Sequence, residues 1–202
     1  MISLLTDWQY RRLELAGAWH LAYYIPDQRT IPGTLSHRII EFKNLNPFST
    51  VDAWCRWTIA DLAAQNIGHD YIIRALGSSE LTPTARRGLD ILGERLATAQ
   101  QSVYAPRILG KTRTTPAMHT LKTKEERHKA LDNAYQVADR TVDLNGRRVL
   151  ILDDVTTSKT TLTEILRALR VEWPRGQYSF FCLGKTSREP DANNSIPLSY
   201  FT

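Results

Sequence analysis

Arg148-Val149-Leu150-Ile151-Leu152-Asp153-Asp154-Val155-Thr156-Thr157-Ser158-Lys159-Thr160-Thr161-Leu162 is the stretch around which the chain is organised. An apolar run ends in two adjacent carboxylates, and hydroxyl residues with one lysine crowd the positions that follow. Leu162, Ile165, Leu166 and Leu169 then recur at helical spacing. The pattern predicts a buried strand, a polar turn and the opening of a helix. In open α/β sheets, ligands gather at the carboxyl ends of strands, beside helix N-termini. Such a terminus offers unpaired backbone N–H groups and the positive end of a dipole, which suits a phosphate. Two carboxylates alongside can take sugar hydroxyls or, through them, a hydrated cation. The stretch points to a phosphorylated sugar.

Working outward, Tyr71 to Leu76 reads as a short strand and Gly77-Ser78-Ser79-Glu80 as a turn of small residues. Thr82 or Thr84 can cap a helix in which Leu89, Leu92, Leu96 and Ile91 form an apolar stripe. Tyr104 to Leu109 is a second candidate strand. The polar segment from Gly110 to about Asp132 carries Lys111, Arg113, Lys122, Lys124, Arg127 and Lys129. It is either a solvated face or a basic lid over an anionic substrate. The last strand is Tyr178 to Leu183, and residues 184–202 form an irregular tail with Pro190 and Pro197. Strands alternating with helices predict a mostly parallel open α/β sheet flanked by helices.

The first part of the chain is less legible. Leu4, Leu5, Trp8, Tyr10, Leu13, Leu15 and Trp19 are spaced loosely like a helix, with Thr6 or Asp7 as its cap. Pro26, Pro32 and Gly33 mark a loop, and Trp54 to Ala63 a second helix. Its aromatics suit a core or an interface more than a base-stacking surface. We therefore expect residues 1–68 to form a mainly helical, aromatic N-terminal extension and residues 69–202 to form the α/β domain.

Composition narrows the class. The 202 residues are 42% hydrophobic, with a formal charge of +5, so a core is affordable and an anionic ligand suits the charge. Lysines and arginines are spread along the whole sequence, which leaves nucleic acid as an open partner without marking a binding stripe. Cys55 and Cys182 match no metal-ligand spacing and read as two reduced thiols rather than a redox pair. His20, His37 and His69 lack paired ligands. No window is apolar enough to span a bilayer and no signal peptide is visible, so a soluble cytoplasmic protein is expected.

The run Val149 to Thr161 resembles the phosphoribosyl pyrophosphate (PRPP) signature of type I phosphoribosyltransferases, and most closely that of ComF-type, competence-associated proteins. The turn at Gly77 to Ser79 falls where that family places its pyrophosphate loop, and the basic excursion after Tyr104 to Arg113 where its flexible loop begins. Arg127 and Asn133-Ala134-Tyr135 echo its Arg and Asn-x-aromatic pattern. Tyr23-Tyr24 and Phe42-Lys43-Asn44 resemble the segment ahead of its sheet domain.

The resemblance implies PRPP, or a related phosphosugar, as ligand and Mg²⁺ as cofactor. Asp153 and Asp154 would be the catalytic pair, binding the ribose hydroxyls directly or holding Mg²⁺ indirectly. Thr156, Thr157, Ser158, Lys159, Thr160 and Thr161 would wrap the 5-phosphate. Gly77, Ser78 and Ser79 would hold the pyrophosphate, with Lys111, Arg113 and Arg127 closing over it. A protein or nucleic-acid partner and self-association are left open, and a non-catalytic regulatory or interaction subunit is the alternative.

Three departures stand out. Lys159 occupies the position of the family's loop glycine in a gap-free alignment; a one-residue shift puts Ser158 there. Thr157 stands where oxopurine-specific relatives carry an acid, so their proposed base is absent. The four-cysteine zinc module common at the start of ComF-type proteins is absent too. A P-loop reading of Ser158-Lys159-Thr160 fails, because the upstream glycine cradle is missing.

Overall fold

The structure is a computed structural model that describes residues 1–83, 86–117, 120–121, 123–196 and 199–201, with the Lys124 side chain set aside. Thr84, Lys122 and Pro197 thus lie outside the described residues. The chain runs β1 (Ile2–Ser3), α1 (Trp8–Arg11), β2 (Gly17–Tyr24), α2 (Leu35–Asn44), α3 (Phe48–Ala64) and β3 (Tyr71–Arg74). It continues through α4 (Gly88–Gln100), β4 (Val103–Tyr104), β5 (Leu109–Lys111), α5 (Lys124–Leu131) and β6 (Tyr135–Val137). It closes with β7 (Arg148–Thr156), α6 (Thr160–Glu172) and β8 (Gln177–Thr186).

The main sheet has six strands in the order β1-β2-β8-β7-β3-β4. All neighbours are parallel except β1 with β2. The expected parallel sheet flanked by helices is therefore present. Its centre, β7, is buried on both faces, which is why the sequence shows a continuous apolar run rather than alternation. Val149 and Ile151 pack into the layer of α6 with Leu162 and Ile165. Leu150 and Leu152 pack into the opposite layer with Trp54, Leu92 and Phe181. Beside the main sheet, β5 and β6 pair as a separate two-stranded ribbon.

The N-terminal part departs from the expected helix over residues 4–19. Only Trp8–Arg11 is α-helical there, and Gly17–Tyr24 is a strand, β2, hydrogen-bonded to β8. Its Ala18, Leu21 and Ala22 are fully covered, so burial on both faces selected small apolar residues and erased the strand period. Residues 1–68 hold α1, α2 and α3 and also supply two strands of the main sheet. Three boundaries differ further. α4 starts after Arg87, with Asp90 accepting from the Arg87 amide, instead of at a threonine. The candidate strand at Tyr104 to Leu109 is broken by a 3-10 turn at Pro106–Ile108, because proline cannot donate to a ladder. The segment 110–132 contains α5, opened by a reciprocal Thr123–Glu126 capping box.

Candidate functional site

The carboxyl end of β7 fixes the site. Ala75 donates to Leu152 O at 2.8 Å, which sets the turn after β3 beside the acid pair after Leu152. Successive side chains on a strand point to opposite faces. Asp154 thus continues the Leu152 face and meets α2, where Lys43 Nζ lies 3.0 Å from its Oδ2. Asp153 continues the Ile151 face, toward Lys111 and Tyr135. The two acids are adjacent in sequence and divergent in space.

Their electrostatics differ accordingly. Burial, then the neighbouring Asp154 charge, raises the Asp153 carboxyl to about 7, while a bond from the Asp154 amide opposes this. Attraction to Asp154 keeps the Lys43 amine firmly protonated. Lys111 is pulled down to about 8 by burial, and its amine donates to Gly77 O at 2.9 Å.

Beyond β7 the chain turns at Thr157 and Ser158 into α6. Lys159 is the helix N-cap, held in the left-handed region at φ 53° and ψ 3°, and it provides no side-chain cap bond. Non-glycine residues bear a cost of about 1–2 kcal/mol there. The backbone has thus kept the shape that a glycine would adopt freely. The Lys159 amine donates to the carbonyl of Gln9 in α1. Around it the hydroxyls bond among themselves: Thr156 to Tyr10 (2.8 Å), Thr157 to Thr186 (2.8 Å) and Ser158 to Thr160 (2.8 Å). The first turn of α6 carries no acidic residue, so the amide dipoles there meet no built-in anion.

A cavity of about 510 Å³ joins these elements. Asp153, Asp154 and the whole turn from Thr156 to Thr161 line it, as do Gly77, Ser78, Lys111 and Arg127. Ser79 and Arg113 do not. Ser79 is exposed on its turn. Arg113 is exposed on the ribbon loop, where it donates to Asp132 O at 2.6 Å. The Arg127 guanidinium donates to Leu121 O at 2.9 Å, so part of its charge braces the loop. Lys129 is exposed on α5.

Sequence reasoning gave no role to Lys43, Arg87, Arg29 or Tyr24, all of which line the cavity. Lys43 and Arg29 lie on the N-terminal segment, and only its packing against β2 and β8, with α2 carrying Lys43, shows their place. Beneath the Gly77 turn, fully buried Arg74 pairs with Glu80 at 3.0 Å and with Asp90 at 2.6 Å. A charged residue in an otherwise apolar strand was the available signal for this cluster, since an arginine is almost never buried unpaired.

No family model matches the chain. No curated protein matches it either. Among solved structures it is similar to a purine phosphoribosyltransferase from Pyrococcus horikoshii Ot3, over 69% of this chain and 75% of that one, at 18% identity and a TM-score of 0.42. It is also similar to a hypoxanthine phosphoribosyltransferase from Staphylococcus aureus, over 80% and 74%, at 13% identity and a TM-score of 0.40. These overlaps are partial, and the chemistry rests on this chain's own residues. Among the described residues, no helix is long and apolar enough to cross a membrane, and no cluster of three or more His, Cys, Asp or Glu side chains could hold a metal unaided.

Proposed function

We propose that the cleft binds PRPP or a related 5-phosphosugar with Mg²⁺, and that the chain is a phosphoribosyltransferase-like protein, closest in kind to the ComF type. The observation that carries this reading is the uncapped, acid-free opening of α6 directly after the Asp153–Asp154 pair on β7. Ionised carboxylates only accept hydrogen bonds, which is what the paired hydroxyls of a ribose require. The 5-phosphate would lie on the first-turn amides and the hydroxyls of Thr156 to Thr161. Two free, buried thiols, Cys55 and Cys182, suit a reducing compartment such as the cytoplasm.

The residues present fit Mg²⁺ as an ion shared with the ligand. Burial and Asp154 raise the Asp153 carboxyl, so a second positive charge is accommodated there. Mg²⁺ typically uses one or two carboxylates, retains waters and takes the rest from phosphate oxygens, so no three-residue cluster is needed. When bound, it neutralises phosphate charge. The chain's own residues then hold the sugar between the acid pair and α6. Displacement at C1 through a cation-like transition state needs that positioning and charge stabilisation more than it needs a nucleophile.

The second reading is a non-catalytic regulatory or interaction subunit in a nucleic-acid-linked process. Lys159 favours it, because a bulky side chain anchored to α1 stands where the resembled family carries its loop glycine. Calorimetry with PRPP and Mg²⁺, followed by a pyrophosphate-release assay over nucleobase and amine acceptors, separates the two. Heat with release supports transfer, and heat without release from any acceptor supports the second reading. No heat would sink the ligand assignment.

A further inference from the structure

The two ends of the cleft are not built alike. At α6 the first turn lines the cavity, and the N-cap residue Lys159 makes no side-chain cap bond to its amides. At the Gly77 turn the first amide points away from the cavity. The Gly77 amide donates inward to Glu80 Oε2 at 2.6 Å. Glu80 is buried, and it also takes both terminal nitrogens of Arg74 at 3.0 Å each. Arg87, the arginine nearest this turn on the cavity wall, places its Nε 3.0 Å from the same carboxylate.

The carbonyls of the turn are committed on its other side. Gly77 O accepts from the Lys111 amine at 2.9 Å, and Ser78 O accepts from the Thr115 amide at 2.9 Å. Anion-binding turns work by pointing successive N–H groups outward. This turn folds its first amide around a carboxylate of its own, and its first carbonyl holds the Lys111 amine. A diphosphate arriving here would have to compete with Gly77 O for Lys111 and would meet the Glu80 carboxylate behind the turn.

On the reading that the cleft takes a 5-phosphosugar, we propose that its ligand is a pentose 5-phosphate without a C1 diphosphate, of the class of ribose 5-phosphate or a nucleoside 5′-monophosphate. The α6 end supplies the recognition, Asp153 and Asp154 read the hydroxyls, and the Glu80-filled turn closes the C1 side without contributing affinity.

The test is calorimetry of the wild-type chain with ribose 5-phosphate, PRPP and inorganic pyrophosphate, each with and without Mg²⁺. Ribose 5-phosphate is expected to bind within about threefold of PRPP, and pyrophosphate alone to give no heat at millimolar concentration. PRPP binding tenfold or more tightly than ribose 5-phosphate overturns the proposal and leaves the phosphosugar reading standing. Heat from neither sugar removes both. Glu80→Gln keeps an acceptor for the Gly77 amide while freeing Arg87, and should raise PRPP affinity relative to ribose 5-phosphate. An unchanged ratio in a folded Glu80→Gln protein would show that Glu80 does not close this end, which overturns the assignment; if that variant fails to fold, the wild-type comparison decides.

Discussion

Replacing Asp153 by asparagine is expected to stabilise the ligand-free protein at pH 8 while removing its ligand affinity. The carboxyl rises from an ordinary 3.8 to about 7 on folding, through burial and the adjacent Asp154. Because the folded value lies above the unfolded one, its contribution is favourable below pH 3.8 and is lost as pH climbs to about 7. A displacement of roughly three pH units at ~1.4 kcal/mol each sets an upper bound of ~4 kcal/mol at pH 8. Solvent reaches the half-buried side chain, so about 2 kcal/mol is the working figure. Asparagine keeps an oxygen for the Asp154 amide, now 2.8 Å away, and carries no charge. For a chain of this size about 2 kcal/mol corresponds to ~4–8 °C in Tm. Thermal melts of both proteins at pH 8 and pH 5 provide the assay, and the gain should fall to less than half at pH 5. A variant no more stable than wild type at pH 8, or a gain independent of pH, would refute the electrostatic reasoning.

Three other substitutions test separate parts of the site. Arg74→Met leaves Glu80 and Asp90 buried without their shared partner and should cost ~3–5 kcal/mol in urea unfolding. Tyr10→Phe removes the 2.8 Å bond to Thr156 and should cost about 1 kcal/mol, with an m-value unchanged. Lys159→Gly relieves the left-handed backbone but loses the bond to Gln9 and gains unfolded-state entropy, so stability should move by less than about 1 kcal/mol. In the pyrophosphate-release assay, a gain from Lys159→Gly would identify the lysine as a deactivating change.

The parts of the site that were legible are those whose signal is local. Val149 to Leu162 carries strand, turn and helix in one contiguous stretch, and all of its candidate residues line one cavity. The Gly77 turn was visible as small residues after a strand, yet the orientation of its amide was not, because Glu80 reads as an ordinary turn acid until Arg74 is seen buried beneath it. β2 was illegible for a different reason: Gly17, Ala18 and Ala22 are chosen for close packing against β8 and neighbouring layers, and they carry neither helical nor strand period. Lys43 looks like any exposed lysine near the end of a helix, and its pairing with Asp154 exists only once α2 crosses the sheet. Arg113 shows the converse: a charge in a basic segment does not reveal from sequence that its guanidinium bonds the backbone at Asp132.

A crystal structure of the chain with PRPP and Mg²⁺ tests the central claim most directly. The account predicts the 5-phosphate on the first turn of α6 against Thr157 to Thr161, with the ribose hydroxyls at Asp153 and Asp154 and the diphosphate making no bond to the Gly77 amide. A cleft left empty at saturating ligand, or a sugar seated with its diphosphate on α6, would contradict it.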